Sequence, residues 1–184
     1  MGMTDPYLEF LALKTARAPM RGLTDVPPLA SHLFPFQRHC VDFGLRAGSA
    51  GIFLDTGLGK TAVELEWCRL AADSSNGRAL ILTPLAVARQ IEAEAKRWGY
   101  EARVIREQSD AGPGINICNY DRMDRLNLAA FGAVALDEAS ILKSFGGKTS
   151  RALIDGFRDH RFRLAATATP APNDHMELGQ YAEF

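Results

Sequence analysis

Short apolar runs along this chain alternate with longer stretches in which apolar residues recur every three or four positions. The runs are rich in Val, Ile, Leu and Ala, which is typical of buried parallel strands. They predict strands at Ala50–Leu54, Ala79–Thr83, Arg103–Arg106, Ile115–Asn119, Ala133–Asp137 and Arg163–Thr167. The longer stretches predict helices at Phe36–Arg46, Lys60–Ala72, Ala86–Trp98, Lys148–Phe157 and Asp174–Glu183. This alternation indicates an α/β fold with a mostly parallel central sheet and helices on both faces.

The first 33 residues have a different pattern. Asp5 and Pro6 are a favourable helix start, and Tyr7–Arg17 can form a short amphipathic helix. Several prolines and a glycine then interrupt regular structure as far as Pro35. We therefore expect residues 1–33 to form an arm along the edge of one domain, and residues 34–184 to form that domain.

Composition narrows the class of protein. The chain has 184 residues, of which 47% are hydrophobic, so one core can form without disulfides or a structural metal. The three cysteines are scattered singly, which fits a reducing compartment. No apolar stretch approaches the roughly 20 residues that cross a bilayer, and no secretory signal is evident. The expectation is a cytoplasmic protein without a membrane partner.

Charge is distributed unevenly, although the formal net charge is only −1. Between residues 143 and 163, six basic residues stand against two acidic ones. Such a run is either a solvated helix face or a patch for a polyanion. Composition alone favours the solvated face.

A glycine-rich turn follows the first predicted strand and precedes a predicted helix, and it reads DTGLGKT from Asp55 to Thr61. Glycines let the backbone close around phosphates, and the free N–H groups of a helix start point at an anion. Lys60 can neutralise the β- and γ-phosphates, and the Thr61 hydroxyl can ligate Mg²⁺. Leu54 stands where the strict motif has glycine, and a lone Gly-Lys-Thr could be a simple turn with a surface lysine. The flanking strand and helix favour a phosphate site made of Thr56, Gly57, Leu58, Gly59, Lys60 and Thr61.

Two adjacent carboxylates, Asp137 and Glu138, end another predicted strand. Open α/β sheets bind ligands at the carboxyl ends of their strands. Asp137 is the candidate magnesium ligand, and Glu138 is the candidate base for the attacking water. An acidic pair in isolation could simply favour a helix N-terminus. Together with the phosphate site, the pair indicates a nucleoside triphosphatase with Glu138, Lys60 and Asp137 as its catalytic residues.

Six motifs in order resemble those of superfamily-two helicases. They are Gln37 in LFPFQR, Asp55–Thr61, Leu82–Leu85 with Gln90, Asn119–Asp121, Asp137–Ser140 and Ala166–Pro170. The chain resembles the first RecA-like lobe of that superfamily, in particular its Swi/Snf-like members and the DEAD/DEAH-like DNA helicases of phages. The implied fold is the three-layer RecA-like, P-loop fold.

The resemblance implies a role for each matched residue. Gln37 would contact the adenine of ATP, since an amide both donates and accepts hydrogen bonds. Thr167 and Thr169 would relay the nucleotide state to the nucleic-acid site. The residues expected to contact a strand are Thr83, Pro84, Gln90, Asn119, Tyr120, Lys143 and Lys148. Each of these could instead be an ordinary strand-end, helix-start or surface residue.

The resemblance also implies partners. ATP and Mg²⁺ are the expected cofactors, DNA is the expected substrate, and a second RecA-like lobe is the expected neighbour. An arginine from that second lobe would neutralise charge on the γ-phosphate, so we expect this chain alone to bind nucleotide and hydrolyse it very slowly. If a phage encodes it, the host cytoplasm is its location. The alternatives are another P-loop nucleotidase or kinase, and a non-catalytic module that binds nucleotide.

Overall fold

The structure is a computed structural model, and it describes residues 19–143, 148–170 and 184. The predicted helices Tyr7–Arg17 and Asp174–Glu183 lie outside the described residues. The side chains of Lys143 and Lys148 lie outside them as well.

Within the described residues, one sheet of six strands organises the chain. The strands are β1 (Ser49–Phe53), β2 (Arg78–Thr83), β3 (Ala102–Val104), β4 (Gly114–Asn119), β5 (Ala133–Asp137) and β6 (Phe162–Thr167). Their order across the sheet is β1-β6-β5-β2-β4-β3, and every neighbouring pair is parallel. The mostly parallel sheet predicted from the sequence is thus wholly parallel.

Helices cover both faces of the sheet. They are α1 (Pro35–Ala47), α2 (Lys60–Asp73), α3 (Ala88–Arg97) and α4 (Lys148–Phe157). Side chains of α1, α2 and α3 pack with one face of the strands, including Ile81 and Ile117. Side chains of α4 pack with the opposite face, including Leu80 and Leu82. The predicted three-layer α/β fold is confirmed. No helix of the described part is long and apolar enough to span a membrane.

The alternation along β2 shows why the chain forms this fold. Ala79 and Ile81 point into one core, and Leu80 and Leu82 point into the other. All four side chains are completely buried. Each large aliphatic side chain buried in this way stabilises the fold by about 1.5–3 kcal/mol. A strand buried on both faces therefore reads as a continuous apolar run.

Element boundaries differ from the prediction mainly at β3. The strand was expected at Arg103–Arg106 and lies at Ala102–Val104. Its end has a local cause, because the Asp110 carboxylate accepts hydrogen bonds from the N–H groups of Arg106 and Glu107 at 2.9 and 3.3 Å. The hydrophobic pattern also missed short 3-10 helices, at Gln108–Asp110, Tyr120–Arg125, Leu128–Ala130 and Ala139–Lys143.

The described part of the N-terminal arm lies against the domain. The N–H groups of residues 21–23 donate to the carbonyl oxygens of residues 45–47, at the end of α1. Leu23, Val26 and Leu29 pack against the core. The three cysteines are free thiols, and Cys68 and Cys118 are buried.

Candidate functional site

Sequence-predicted residues from four strands meet at one edge of the sheet. Strands β1, β6, β5 and β2 are neighbours and run in the same direction, so the segments that follow them converge at their carboxyl ends. These segments carry the glycine-rich loop after β1, the threonines at the end of β6, the acidic pair after β5, and Thr83 at the end of β2. The predicted phosphate, acidic and coupling residues thus form one cluster.

The glycine-rich loop has the backbone geometry that its sequence predicts. Gly57 and Gly59 have φ angles of 85° and 73°, which side chains with a Cβ rarely adopt. Gly59 directly precedes α2, and the first N–H groups of a helix have no partner within it. Lys60 and Thr61 begin that helix. The start of α2 can therefore present N–H groups, a cation and a hydroxyl to an anion. In the loop itself, the N–H groups of Thr56 and Leu58 donate to the side chain and the carbonyl oxygen of Asp55, at 2.7 and 3.2 Å.

Gln37 ties the start of α1 to this loop. Its Nε2 donates to the Leu58 carbonyl at 2.9 Å, and its Oε1 accepts from the Phe34 N–H at 2.9 Å. A Cβ on Gly59 would lie only 2.4 Å from Gln37 Nε2, so a side chain here would displace the Gln37 amide in addition to adopting an unfavourable φ. Gln37 is 5% exposed. The adenine contact stays a prediction, and the described role of Gln37 is to hold the loop.

Asp137 is buried and held from two sides. The Thr83 hydroxyl donates to Asp137 Oδ2 at 2.7 Å, and the Tyr120 hydroxyl donates to the Asp137 carbonyl at 2.8 Å. Burial raises the pKa of Asp137 above its ordinary value, while the Thr83 hydrogen bond and the charge of Lys60 act in the opposite direction. The surrounding residues thus fix one oxygen of this carboxylate.

Glu138 has an unusual backbone for a residue that is not glycine. Its φ is 54°, the one positive value outside glycine in the described part of the chain. Left-handed backbone at such a residue stores strain of about 1–3 kcal/mol and is concentrated at functional sites. Glu138 Oε1 accepts a hydrogen bond from Thr167 Oγ1 at 2.8 Å, and Oε2 lies 3.7 Å from Lys60 Nζ. The carboxylate therefore links the phosphate loop to the end of β6.

Thr167, the last residue of β6, contacts the acidic pair. Thr167 is completely buried, and its hydroxyl bonds Glu138 as described above. The same Thr167 oxygen accepts the Thr169 N–H at 3.1 Å. The backbone beyond β6 is in this way connected through one hydroxyl to Glu138. The relay of nucleotide state along this connection stays a prediction.

The donor set at this edge suits magnesium. Thr61 and Asp137 supply a hydroxyl and a carboxylate, and Mg²⁺ prefers oxygen ligands while keeping several waters. Among the described residues, no group of three or more His, Cys, Asp or Glu side chains is placed to hold a metal. A site that depends on two protein ligands together with substrate oxygens is compatible with that finding.

The predicted nucleic-acid residues fall into two groups. Thr83, Asn119 and Tyr120 are buried, with at most 9% exposure, and Thr83 and Tyr120 support Asp137. Gln90 is exposed and donates to Glu94 at 3.3 Å, and Pro84 is half-buried. The nucleic-acid contacts stay predictions for all five, and Thr83 and Tyr120 have a described role within the site.

An open cleft of about 400 Å³ lies beside Glu138. Its lining includes Pro84, Leu85 and Tyr120, and Leu85 is 69% exposed. The cleft joins the acidic pair to the surface on which Pro84 lies. A larger open groove of about 570 Å³ lies between α3 and the edge strand β3, lined by residues outside the cluster described above.

Part of the basic run serves the fold. Arg161 Nε and Nη2 donate to the carbonyl oxygens of Arg21 and Gly22 at 2.8 and 2.6 Å. Arg158 pairs with Asp155 at 3.0 Å, and both side chains are exposed. Arg161 and Arg163 lie at the start of β6, at the end of the sheet opposite the cluster. The run is therefore not a single face directed at one partner.

Sequence reasoning missed Glu64. It lies on α2, one helical turn after Lys60, and is completely buried. The available signal was the helical spacing, because residues four apart share a helix face and Lys60 is the predicted phosphate-binding residue. A carboxylate at that position is placed behind the site.

Comparison with solved structures gives clear matches. The SWI2/SNF2 ATPase core of Sulfolobus solfataricus, solved in complex with double-stranded DNA, matches with a TM-score of 0.67 at 20% identity over 86% of this chain. Two structures of the UvsW helicase of bacteriophage T4 match with TM-scores of 0.69 and 0.66 at 15% identity, over 83% and 79% of this chain. The chain spans only 36%, 58% and 32% of the lengths of these three.

Neither protein-family models nor curated protein sequences match the chain. The similarity is therefore one of fold, with identities of 20% or below. The chain has the fold of a helicase motor lobe, as the order of its motifs predicted.

Proposed function

We propose that this chain is the ATP-binding motor lobe of a DNA helicase or translocase, which couples ATP hydrolysis to movement along nucleic acid. One observation carries the proposal. The fold brings Lys60 of the glycine-rich loop to 3.7 Å from Glu138 of the acidic pair, across 78 residues of sequence. A phosphate-binding cation beside a candidate general base is the arrangement that phosphoryl transfer to water needs.

The loop residues would bind the phosphate chain. Backbone N–H groups at the start of α2 would bond the phosphates, and the positive helix end attracts negative charge. The N–H groups of Thr56 and Leu58 would have to exchange Asp55 for phosphate oxygens. Lys60 would exchange its long contact with Glu138 for the phosphate oxygens, because a charge-assisted hydrogen bond is shorter and stronger than a 3.7 Å ion pair. This exchange would also end the contact between Lys60 and Glu138 Oε2.

Thr61 and Asp137 would hold Mg²⁺, which neutralises phosphate charge when bound. Asp137 is suited to that role because Thr83 and the Tyr120 hydroxyl fix its position before any ligand arrives. Preorganised ligands lose little freedom on binding. The arrangement thus favours a fixed ligand on the lobe, with the remaining positions left to water and substrate.

Glu138 would orient the attacking water and accept its proton. The side chain is 40% exposed, so water can reach it, and Thr167 holds one of its oxygens. The same hydrogen bond gives a physical route for coupling. A change at Glu138 on hydrolysis would alter its bond to Thr167, and through Thr167 the position of the Thr169 N–H.

DNA would run past the cleft beside Glu138. Pro84 and Leu85 line it, Gln90 is exposed on the following helix, and Lys143 follows the acidic pair in sequence. Contacts of this kind would be made mainly to phosphates, with Lys143 and Lys148 adding positive charge. A second RecA-like lobe would supply the missing positive charge at the γ-phosphate.

The experiment that tests this proposal is ATP hydrolysis by the complete gene product, measured with single-stranded DNA, duplex DNA and RNA, and repeated with Glu138→Gln. We expect stimulation by DNA, and loss of hydrolysis in the variant with ATP binding retained. Hydrolysis that no nucleic acid stimulates would contradict the motor function. Transfer of phosphate to a small acceptor would favour a kinase instead.

A further inference from the structure

Glu64 is a buried carboxyl group to which the described residues offer no hydrogen-bond partner. The residue is completely buried on α2, and neither carboxyl oxygen has a partner in the described part of the chain. Buried polar groups in folded proteins almost always have partners, so an orphaned pair of oxygens requires an explanation.

The side chain lies behind the nucleotide site. The charged groups that act on it are Asp137 and Glu138 at the end of β5, Lys60 on its own helix and Glu94 on α3. Burial, followed by the charge of Asp137, raises the pKa of Glu64 well above its usual range, although Lys60 opposes the shift. The neutral acid, which can both donate and accept a hydrogen bond, is therefore favoured.

Glu66, two residues further along the same helix, is a buried carboxylate with a structural role and serves as a comparison for Glu64. It is also completely buried. Its oxygens accept hydrogen bonds from Arg69 Nη2 at 2.8 Å, from the Ala30 N–H at 2.8 Å and from the Tyr100 hydroxyl at 3.1 Å. Burial alone would raise its pKa, but these partners lower it overall. Within the described part of the chain, Glu66 has hydrogen-bond partners and Glu64 has none.

We propose that Glu64 is a positioning residue of the nucleotide site, whose carboxyl group hydrogen-bonds the polar groups behind Lys60 and Asp137 once magnesium and nucleotide are bound. The inference rests on the proposed function. Magnesium keeps several waters when it binds to proteins, and such waters need oriented acceptors and donors around them. Glu64 can supply both from its completely buried position on α2, one helical turn after Lys60.

Two measured quantities should move in opposite directions when Glu64 is replaced by leucine. An unsatisfied buried polar group lowers the free energy of unfolding of the protein without ligand. Glu64→Leu removes that group, so this variant should unfold at a higher urea concentration than the wild type. Removing the positioning group should weaken binding of ATP with magnesium by about tenfold. A folding defect cannot produce this combination.

The experiment compares the wild-type chain with Glu64→Leu, Glu64→Gln, Glu66→Gln and Lys60→Ala. Titration calorimetry gives the dissociation constant for ATP with magnesium, and urea unfolding without nucleotide gives the midpoint. Glu64→Gln keeps both donor and acceptor, so it should bind within about twofold of the wild type. Glu66→Gln is the matched control on the same helix. It should lower the unfolding midpoint and leave the dissociation constant unchanged.

Each other outcome overturns the inference. Wild-type affinity in Glu64→Leu would show that the carboxyl group takes no part in binding. Equal weakening in Glu64→Gln and Glu64→Leu would show that negative charge is needed, which contradicts the neutral role. If the wild type binds no ATP, or binds it as well as Lys60→Ala does, the proposed function itself fails and the inference with it.

Discussion

The two ends of the sheet use their charged side chains differently. At the amino ends of the strands, Arg161 donates to main-chain oxygens of Arg21 and Gly22 and so fastens the N-terminal segment to the domain. At the carboxyl ends, charged groups face one another instead. Lys60 and Glu138 are 3.7 Å apart, and Glu64 lacks a partner within the described residues.

We expect this difference to separate residues that stabilise the fold from residues that bind a ligand. At the amino ends, Arg161 donates to main-chain oxygens and joins the N-terminal segment to the domain, whereas the buried Nε atom of Arg163 has no partner among the described residues. The carboxyl ends hold a strained Glu138 and an Asp137 whose pKa is raised by burial. Such features lower stability and persist where a site needs them.

The largest effect is expected for Gly59→Ala, compared with Gly77→Ala. Both glycines have similar φ angles, 73° and 78°, and Gly77 precedes β2 at the amino end. A Cβ on Gly59 would meet Gln37, whereas one on Gly77 meets nothing within 4 Å among the described residues.

Gly77→Ala should lower the free energy of unfolding by about 1–2 kcal/mol and leave ATP affinity intact. Gly59→Ala should abolish measurable ATP binding. Calorimetry with both variants checks this, and equal ATP affinity in the two would contradict it.

Arg161→Ala should affect stability only. Losing two charge-assisted hydrogen bonds from a solvent-exposed side chain should lower the free energy of unfolding by about 1–2 kcal/mol. Arg158→Ala is the control, since its side chain pairs only with exposed Asp155 and should change stability by about 0.5 kcal/mol or less. Urea unfolding measures both. A change in ATP affinity with Arg161→Ala would contradict the view that the amino ends serve stability and the carboxyl ends bind nucleotide.

The two buried glutamates of α2 should give opposite pH dependences. The folded state binds the Glu64 proton more tightly than the unfolded state does, because its pKa is raised above 4.5. Stability should therefore fall as pH rises from 4.5 through the raised pKa, and Glu64→Gln should remove this loss.

The pKa of Glu66 is lowered, so the stability that its carboxylate contributes is lost as pH falls. Glu66→Gln should remove that pH dependence. Urea unfolding across pH measures both slopes. Parallel pH profiles for the two variants would refute the assignment.

Thr83→Val should have the smallest effect. It removes the hydroxyl that donates to Asp137 at 2.7 Å, and that hydrogen bond lowers the pKa of Asp137. Losing one hydrogen bond of about 1 kcal/mol should weaken magnesium-dependent ATP binding about fivefold. Ser75→Ala is the control at the other end, where the hydroxyl donates to the Ala71 carbonyl. Magnesium titrations of ATP affinity should change for Thr83→Val alone.

The fold was predictable because its signals are local. The strands are apolar runs, and predicted and observed bounds coincide for Ala133–Asp137. The phosphate loop was predictable for the same reason, because Gly59, Lys60 and Thr61 are consecutive. The end of β3 was not, since it depends on how the Asp110 side chain bonds the backbone.

The hydrogen bonds that position the site residues were less predictable, because they join residues that are distant in sequence. Thr83 bonds Asp137 across 54 positions, and Gln37 bonds Leu58 across 21. Nothing in the local pattern of Thr83 distinguishes a support for a carboxylate from a contact for nucleic acid. The lack of a hydrogen-bond partner for the Glu64 carboxyl group within the described residues is also evident only from the packing around it.

ATP binding by this chain tests the central claim most directly. Calorimetric titration with ATP should be done on the wild type and Lys60→Ala, each with magnesium and with a chelator. We predict one site on the wild type, tighter binding with magnesium than without it, and loss of binding in Lys60→Ala. Absence of binding to the wild type, or equal binding by Lys60→Ala, would contradict the assignment of the carboxyl ends as a nucleotide site.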